Sequence, residues 1–323
     1  MTGEPGERFS FIQITDCHLL DTPGSLLRGL CLHFTLQRVL QHIARHEAAE
    51  ADFILGTGDY VSFPLDRPYR CFAGAVHLRP SAPFPGPQRL DFPGMEGMPI
   101  YLVPGNHDQD GPFLRHLFPG SAAPASLDFA FTHKGVRFLC LDTPRFVNRP
   151  IPPPRRDRMP ASSLRLLERE CARLPPETPI IVAMHLPAAP VAEMPWVEGE
   201  MPEDMDRVWE ILKGRRVLAL LHGHIHATKE REVEGVPVLG LRSTGNQWAD
   251  GDVQILVPTT LLPHFRVVTV EEGRLTHRNV EVDTTWGNVD LQPGLPMTER
   301  GFLEEGGPAV RHLIHGEPPA REW

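Results

Sequence analysis

Five short clusters of acids, imidazoles and one amide stand out in the 323-residue chain: Asp16-x-His18, Gly58-Asp59, Gly105-Asn106-His107-Asp108, His185-Leu186-Pro187 and Gly223-His224-Ile225-His226. Carboxylates and neutral imidazoles suit divalent Mn, Fe, Zn or Co, and without a thiolate the set is not a soft one. Asp16, His18, Asp59, Asn106, His185, His224 and His226 make seven candidate ligands, too many for one divalent metal ion and suitable for two. A carboxylate has two oxygens and can bridge two ions, and Asp59 is central enough in the order to do so. Two ions about 3.5–4 Å apart can activate a bridging hydroxide and clamp both ends of an in-line displacement at phosphorus. The five cysteines, Cys17, Cys31, Cys71, Cys140 and Cys171, are scattered and never form a C-x-x-C pair. Neither a disulfide framework nor a zinc–thiolate site is expected, and a reducing cytoplasm is the expected setting.

Each cluster follows a short apolar run. Phe9–Thr15 precedes Asp16, Phe53–Thr57 precedes Gly58, Ile100–Val103 leads through Pro104 to Gly105, Ile180–Met184 ends at His185, and Val217–Leu221 leads into Gly223. With Arg137–Leu141, these runs are rich in β-branched and aromatic residues and too short for helices, so buried strands are expected. Between them, Leu36, Val39, Leu40 and Ile43 fall at helical spacing, as do Leu164, Leu167, Cys171 and Leu174, and Met205, Val208, Trp209 and Leu212. The alternation defines an α/β architecture. Ligand sites in such sheets lie beyond the carboxyl ends of the strands, so five strands are expected to bring their ligands to one edge of one sheet. Gly58, Gly105 and Gly223 would let the backbone bend tightly there.

The pattern changes after residue 230. Arg231–Leu241 and Phe265–Val282 read as hairpins, the second turning at Glu272-Gly273. This late antiparallel group suggests a second sheet packed on the first, in one layered domain over residues 1–282. Residues 62–99 hold eight prolines and little periodicity, as a functional loop or a small cap would. Residues 283–323, rich in Gly, Pro and charge, read as a C-terminal extension, either wrapped over the core or partly disordered.

Apolar residues make up 41% of the chain and charged ones 23%, enough to bury a core. A net charge of −9 does not favour a broad grip on nucleic acid or an anionic membrane. No apolar run is long enough to span a bilayer, and the first fifteen residues lack the pattern of a secretory signal. No Walker A or G-x-G-x-x-G motif marks a nucleotide site.

D-x-H, G-D, G-N-H-D, H-x-P and G-H-x-H, in that order, resemble the calcineurin-like metallophosphoesterase superfamily over roughly residues 9–282. The resemblance implies a four-layer α/β/β/α fold, two facing mixed β-sheets flanked by helices, with two divalent metal ions at the strand ends. By motif position, Asp16, His18 and His226 would hold one ion, Asn106, His185 and His224 the other, and Asp59 would bridge them. His107 matches the histidine that contacts the phosphate and protonates the leaving oxygen, and Asp108 would be the carboxylate that orients it. A finer similarity is to bacterial class III cyclic-nucleotide phosphodiesterases. It is carried by Leu26–Ile43 as an LxG-then-helix segment, by Arg242–Gln247 as a P-S-T-x-x-Q strand, and by Pro263–Val282 as a P-G-Y-R hairpin with His264 and Phe265 in place of Gly and Tyr.

The expected activity is hydrolysis of a small-molecule phosphoester, foremost a cyclic 3′,5′-nucleotide resembling cAMP. The alternatives are a nucleoside monophosphate, a glycerophosphodiester or a nucleic acid, or a scaffold that keeps the fold without catalysis. Exposed far-end hairpins suggest a homodimer. Plainer roles are expected for Cys17, pointing away from the ligands beside it, for His222, packed at a strand end, and for His42 and His46 on a solvated helix face. Trp196, Trp248 and Trp286 could stack on a base, although packing is the commoner use of such residues.

Overall fold

The computed structural model describes residues 7–27, 30–124, 126–145, 157–251 and 261–284. Residues 285–323, nearly all of the expected C-terminal extension and Trp286 with it, lie outside the described residues, as do Arg28 and Gly29. The strands are β1 (Phe9–Ile14), β2 (Phe53–Thr57), β3 (Leu78–Arg79), β4 (Gln88–Leu90), β5 (Met98–Val103), β6 (Phe129–His133), β7 (Val136–Cys140), β8 (Ile180–Ala183), β9 (Val217–His222), β10 (Lys229–Val233), β11 (Val236–Gly240), β12 (His264–Glu271) and β13 (Arg274–Glu281). The helices are α1 (Leu32–His46), α2 (Asp66–Ala75), α3 (Asp110–Leu117), α4 (Ala161–Arg173), α5 (Trp196–Glu200) and α6 (Met205–Leu212).

Two mixed sheets face each other, one in the order β13-β12-β1-β2-β5-β4-β3 and the other β10-β11-β9-β8-β7-β6. Helices cover both outer faces, and this is the four-layer α/β/β/α arrangement. Side-chain alternation builds the layers. On β1, Phe9 and Phe11 point between the sheets, while Ile12 and Ile14 point to the helix side with Leu36, Val39, Leu40 and Ile43 of α1. On β8, Ile181 and Ala183 point between the sheets, and Ile180 and Val182 meet Leu167 of α4 and Val208 of α6. With both faces covered, these strands carry the near-continuous apolar runs that mark them in the sequence.

Three expectations are corrected. The ligand-bearing strands do not share one sheet: β1, β2 and β5 run parallel in the first, β8 and β9 in the second. The late hairpins do not form a second sheet. The β10–β11 hairpin extends the second sheet beside β9, and β12–β13 extends the first beside β1. Apolar runs record burial but not which neighbour is paired, so the division between sheets is invisible in them. Nor is the segment 62–99 an open loop or cap. It contributes α2 and the short strands β3 and β4, which continue the first sheet past β5. Tyr69 and Phe72 of α2 are fully buried in the helix-side core. The Gln88 side chain bonds Ser81 N, Ala82 O and Gly86 O, ordering the proline-rich turn that lacks periodicity.

The filling between the sheets changes character along their length. At one end it is aromatic, with Phe11 stacked on Phe53 at 5.1 Å and both rings edge-on to Phe138. Toward the carboxyl ends of β1 and β2 it becomes polar, with Gln13, Thr15 and Thr57 fully buried. Arg266 of β12 is fully buried there and crosses between the sheets. It donates to Gln13 Oε1 and Asn279 Oδ1 in the first sheet and to the carbonyls of Leu239 and Gly240 and the Glu230 carboxylate in the second. Arg266→Ala strands those acceptors, and urea unfolding is expected to show a loss on the order of 3 kcal/mol.

Candidate metal centre

Every candidate ligand lies just past a strand end. Asp16 and His18 follow β1, Asp59 follows β2, Asn106 follows β5, His185 follows β8, and His224 and His226 follow β9. Five of the seven, Asp16, His18, Asp59, His224 and His226, have left-handed backbone, with φ between 46° and 69°. Asp and His tolerate this region better than most residues, yet each instance still costs about 1 kcal/mol and persists only where its surroundings enforce it. The enforcement is visible. Ser243 Oγ donates to Asp16 O, Thr244 N and Oγ1 both donate to Thr15 O, and Ser62 Oγ donates to His18 O. Among the three motif glycines, only Gly58 has positive φ. Gly105 and Gly223 are needed for close approach instead, because a Cβ would strike Asp59 at the first and Thr15 and Asp16 at the second.

The side chains converge in two linked groups. Ligand atoms of Asp16, His18 and His226 lie within 4.8 Å of one another, as do those of Asp59, His185 and His224. Asp16 Oδ1 is 3.2 Å from His226 Nε2, which is 3.0 Å from His18 Nε2. Asn106 Oδ1 is 2.9 Å from both His185 Nε2 and His224 Nδ1. Asp59 Oδ2 sits between the groups, 3.5 Å from His18 Nε2 and 3.2 Å from His185 Nε2. Asp59 Oδ1 is already taken by the amide of His107 at 2.8 Å. The atom facing both groups is therefore a single oxygen, rather than the two oxygens of the carboxylate sharing the work.

The tautomers follow from what stands behind each ring. His185 Nδ1 lies 2.7 Å from Thr57 O and His226 Nδ1 2.6 Å from Asn246 O. A carbonyl oxygen only accepts, so these nitrogens carry protons, and in the neutral rings the lone pairs of both Nε2 atoms face inward. They meet carboxylate and amide oxygens, which also offer only lone pairs. With the rings neutral, this buried convergence of acceptors fits divalent cations. Without a divalent cation, protons take up part of the carboxylates' charge. Burial opposes ionisation of Asp16 and Asp59, yet the surrounding imidazoles, His226 and His18 at one and His185 and His107 at the other, hold both carboxyls well below their usual range. Burial likewise opposes a proton on His185, but Asp59 and Asp16 raise it to about 9, so without metal its Nε2 holds a proton that a cation would displace, while burial drives His18 down to about 4.

His107 lies at the rim, its ring edge-on to His18 at 4.9 Å and its Nε2 4.0 Å from Asp59 Oδ2. What orients it is not Asp108. Its Nδ1 is 2.7 Å from Ser62 O, whereas Asp108 is buried beneath the site. Asp108 Oδ2 accepts from the amides of Asp59 and Gly105 and its Oδ1 from the Tyr69 hydroxyl. Burial and then the Asp59 charge push its carboxyl up to about 7. A G-N-H-D motif makes the two residues sequence neighbours, but the turn sends their side chains to opposite sides.

Cys17 packs into the helix-side core, where burial pushes its thiol up to about 12. The left-handed residues flanking it turn it there, rather than an extended chain. His222 is buried at the end of β9 with Nδ1 2.9 Å from Gly223 O. His42 and His46 lie ring to ring at 4.7 Å on α1. Trp196 and Trp248 are partly buried in the second helix-side core and stand beside His224 and His226, at 6.5 and 5.5 Å between ring centroids. Sequence reasoning missed the residues behind the site: Ser62, whose carbonyl meets His107, Tyr69, and Glu200, whose Oε2 is 2.6 Å from His224 Nε2. Arg242–Gln247 was flagged, yet it runs as an irregular segment and not a strand. Its work is to pin the loop after β1 and to present Asn246 O to His226.

Two facing sheets with this strand-end cluster define a metallophosphoesterase, and residues 9–228 match the calcineurin-like phosphoesterase family. The chain belongs to that family and is a phosphoric ester hydrolase. It is 26% identical to a cAMP/cGMP dual specificity phosphodiesterase of Mycobacterium tuberculosis, over 72% of this chain and 67% of that one. It is 25% identical to a probable cyclic nucleotide phosphodiesterase of Psychrobacter, over 81% and 83%. The fold is shared with a solved dimetal phosphatase from Danio rerio, with a TM-score of 0.53 at 15% identity over 85% of this chain and 99% of that one. Among the described residues, no helix is long and apolar enough to cross a membrane.

Asp59→Ala removes the oxygen that faces both groups, and elemental analysis is expected to find its bound divalent metal largely gone. Gly105→Ala should lower metal content too, by pushing Asp59 aside, while Cys17→Ser leaves it unchanged.

Proposed function

We propose that this chain is a dinuclear-metal phosphodiesterase whose substrate is a cyclic 3′,5′-nucleotide of the cAMP type. The observation that carries the metal part is the inward convergence of lone pairs from the Asp16–His18–His226 and Asn106–His185–His224 groups, with Asp59 Oδ2 between them. Those residues would hold two divalent cations. Bound there, such a pair supplies an activated water as nucleophile and neutralises charge gathering at phosphorus. The substrate part is supported by the relatives named as cyclic nucleotide phosphodiesterases and by the segments Leu26–Ile43, Arg242–Gln247 and Pro263–Val282.

The chain's own residues divide the remaining work. Asp16 and Asp59 hold the negative charge that attracts the cations, and the carbonyls of Thr57 and Asn246 keep His185 and His226 in their ligand tautomers. His107, with Nδ1 tied to Ser62 O, turns Nε2 toward the site, where it donates to a phosphoryl oxygen and delivers a proton to the departing alkoxide. In a cyclic diester that alkoxide is one of the ribose's own oxygens.

A hydrolysis panel at fixed Mn²⁺ tests the substrate: cAMP, cGMP, AMP, a glycerophosphodiester and a simple aryl phosphodiester. The expected result is a higher kcat/KM for the cyclic nucleotides than for the aryl diester, and equal or lower values overturn the cyclic-nucleotide reading. His107→Ala is expected to keep its metal and lose about 10²–10⁴ in kcat, more for poor leaving groups. Equal losses across leaving groups would exclude the proton-delivery role.

A further inference from the structure

His224 differs from the other imidazoles in what supports it from behind. Main-chain carbonyls stand behind His185 and His226, but the nitrogen of His224 that faces away from Asn106 meets a side-chain carboxylate, with Glu200 Oε2 2.6 Å from Nε2. Glu200 closes α5, a short helix held in place by Met194, Val197 and Met201, all buried in the second helix-side core. Trp196 precedes Glu200 by four residues, so one face of that turn presents both side chains to the same imidazole.

The two halves of the centre are also unequal in charge. Asp16 Oδ1 lies 3.2 Å from His226 Nε2 but 3.9 Å from His185 Nε2, so its charge bears mainly on the first half. The second half has the shared oxygen of Asp59, two imidazoles and the neutral amide of Asn106. A cation there has one fewer carboxylate beside it than its neighbour.

We infer that Glu200 is a positioning residue for the His185–His224 half of the centre. Its carboxylate accepts the Nε2 proton of His224, fixes the tautomer whose Nδ1 lone pair faces Asn106 Oδ1, and lends that ring the anionic character its half lacks. A carboxylate behind a ligand imidazole both sets its orientation and raises its basicity. The inference rests on reading His224 as a ligand.

Two measurements on the full chain, prepared free of metal, test it with Glu200→Ala and Glu200→Gln. Long-range ¹H–¹⁵N spectra of the His224 ring report the tautomer, expected to be Nε2–H in the wild type and in Glu200→Gln, whose amide oxygen still accepts, and mixed in Glu200→Ala. Calorimetric titration with Mn²⁺ is expected to show two equivalents in the wild type. In Glu200→Ala one of them weakens by about 10–100-fold while the other is unchanged, and Glu200→Gln falls between. A Glu200→Ala protein with wild-type affinity for both equivalents, or with an unaltered His224 tautomer, overturns the role of Glu200 and leaves the metal centre standing. A wild-type protein that takes up no Mn²⁺ overturns the metal centre itself, and this inference with it.

Discussion

Lone pairs brought together out of water repel one another unless a cation lies among them, and the whole strand-end of this protein is organised around that constraint. Asp16 Oδ1, Asp59 Oδ2, Asn106 Oδ1 and the inner nitrogens of His18, His185, His224 and His226 crowd within hydrogen-bond or ion-pair distance of each other. The outer nitrogens of His185, His224 and His226 are occupied by Thr57 O, Glu200 and Asn246 O. One proton of each ring is thereby held outside the centre, which frees the inner nitrogens for a cation.

Neither sheet can make such a centre alone. One group takes Asp16 and His18 from the first sheet and His226 from the second, and the other takes Asp59 and Asn106 from the first with His185 and His224 from the second. Cross-sheet bonds keep the two in register at that end: His185 to Thr57 O, the His224 amide to the Asp16 carboxylate, and Arg266 to the carbonyls of β11. The aromatic filling at one end and the polar filling at the other are two parts of one device. The first glues the sheets together and the second aligns them where the ligands emerge.

The loops bear strain for the sake of this geometry. Five candidate ligand residues in left-handed conformation together cost several kcal/mol, a sizeable share of the 5–15 kcal/mol that usually separates folded from unfolded chains. The three apolar layers offset that cost, and cations held only by the folded state would add to the offset by mass action. Close approach matters as much as strain. Gly105 lets Asp59 lie against the turn after β5, and Gly223 lets the turn after β9 lie against Asp16.

The candidate ligands' place at strand ends was legible, because it follows from local chemistry: a short apolar run must be buried, and polar residues at its end must emerge together. The helices α1, α4 and α6 were legible for the same reason, through the spacing of their apolar residues. What pairs with what was not legible, since burial of Phe9–Ile14 and Ile180–Ala183 is identical whether they share a sheet or face each other across one. Within 62–99, β3 and β4 were hidden because they are short and Pro80, Pro83, Pro85 and Pro87 fill the turn between them, where a glutamine side chain does the ordering, and α2 was hidden because it is short and carries Pro68 in its first turn. The placement of Asp108 and Glu200 was decided only by tertiary structure. One turns under the site although it adjoins His107, and the other reaches His224 from a helix twenty-four positions earlier. Sequence by itself determines which atoms could hold cations. Folding alone decides which way each ring faces, because a tautomer is set by the group behind it, and that group belongs to another part of the chain.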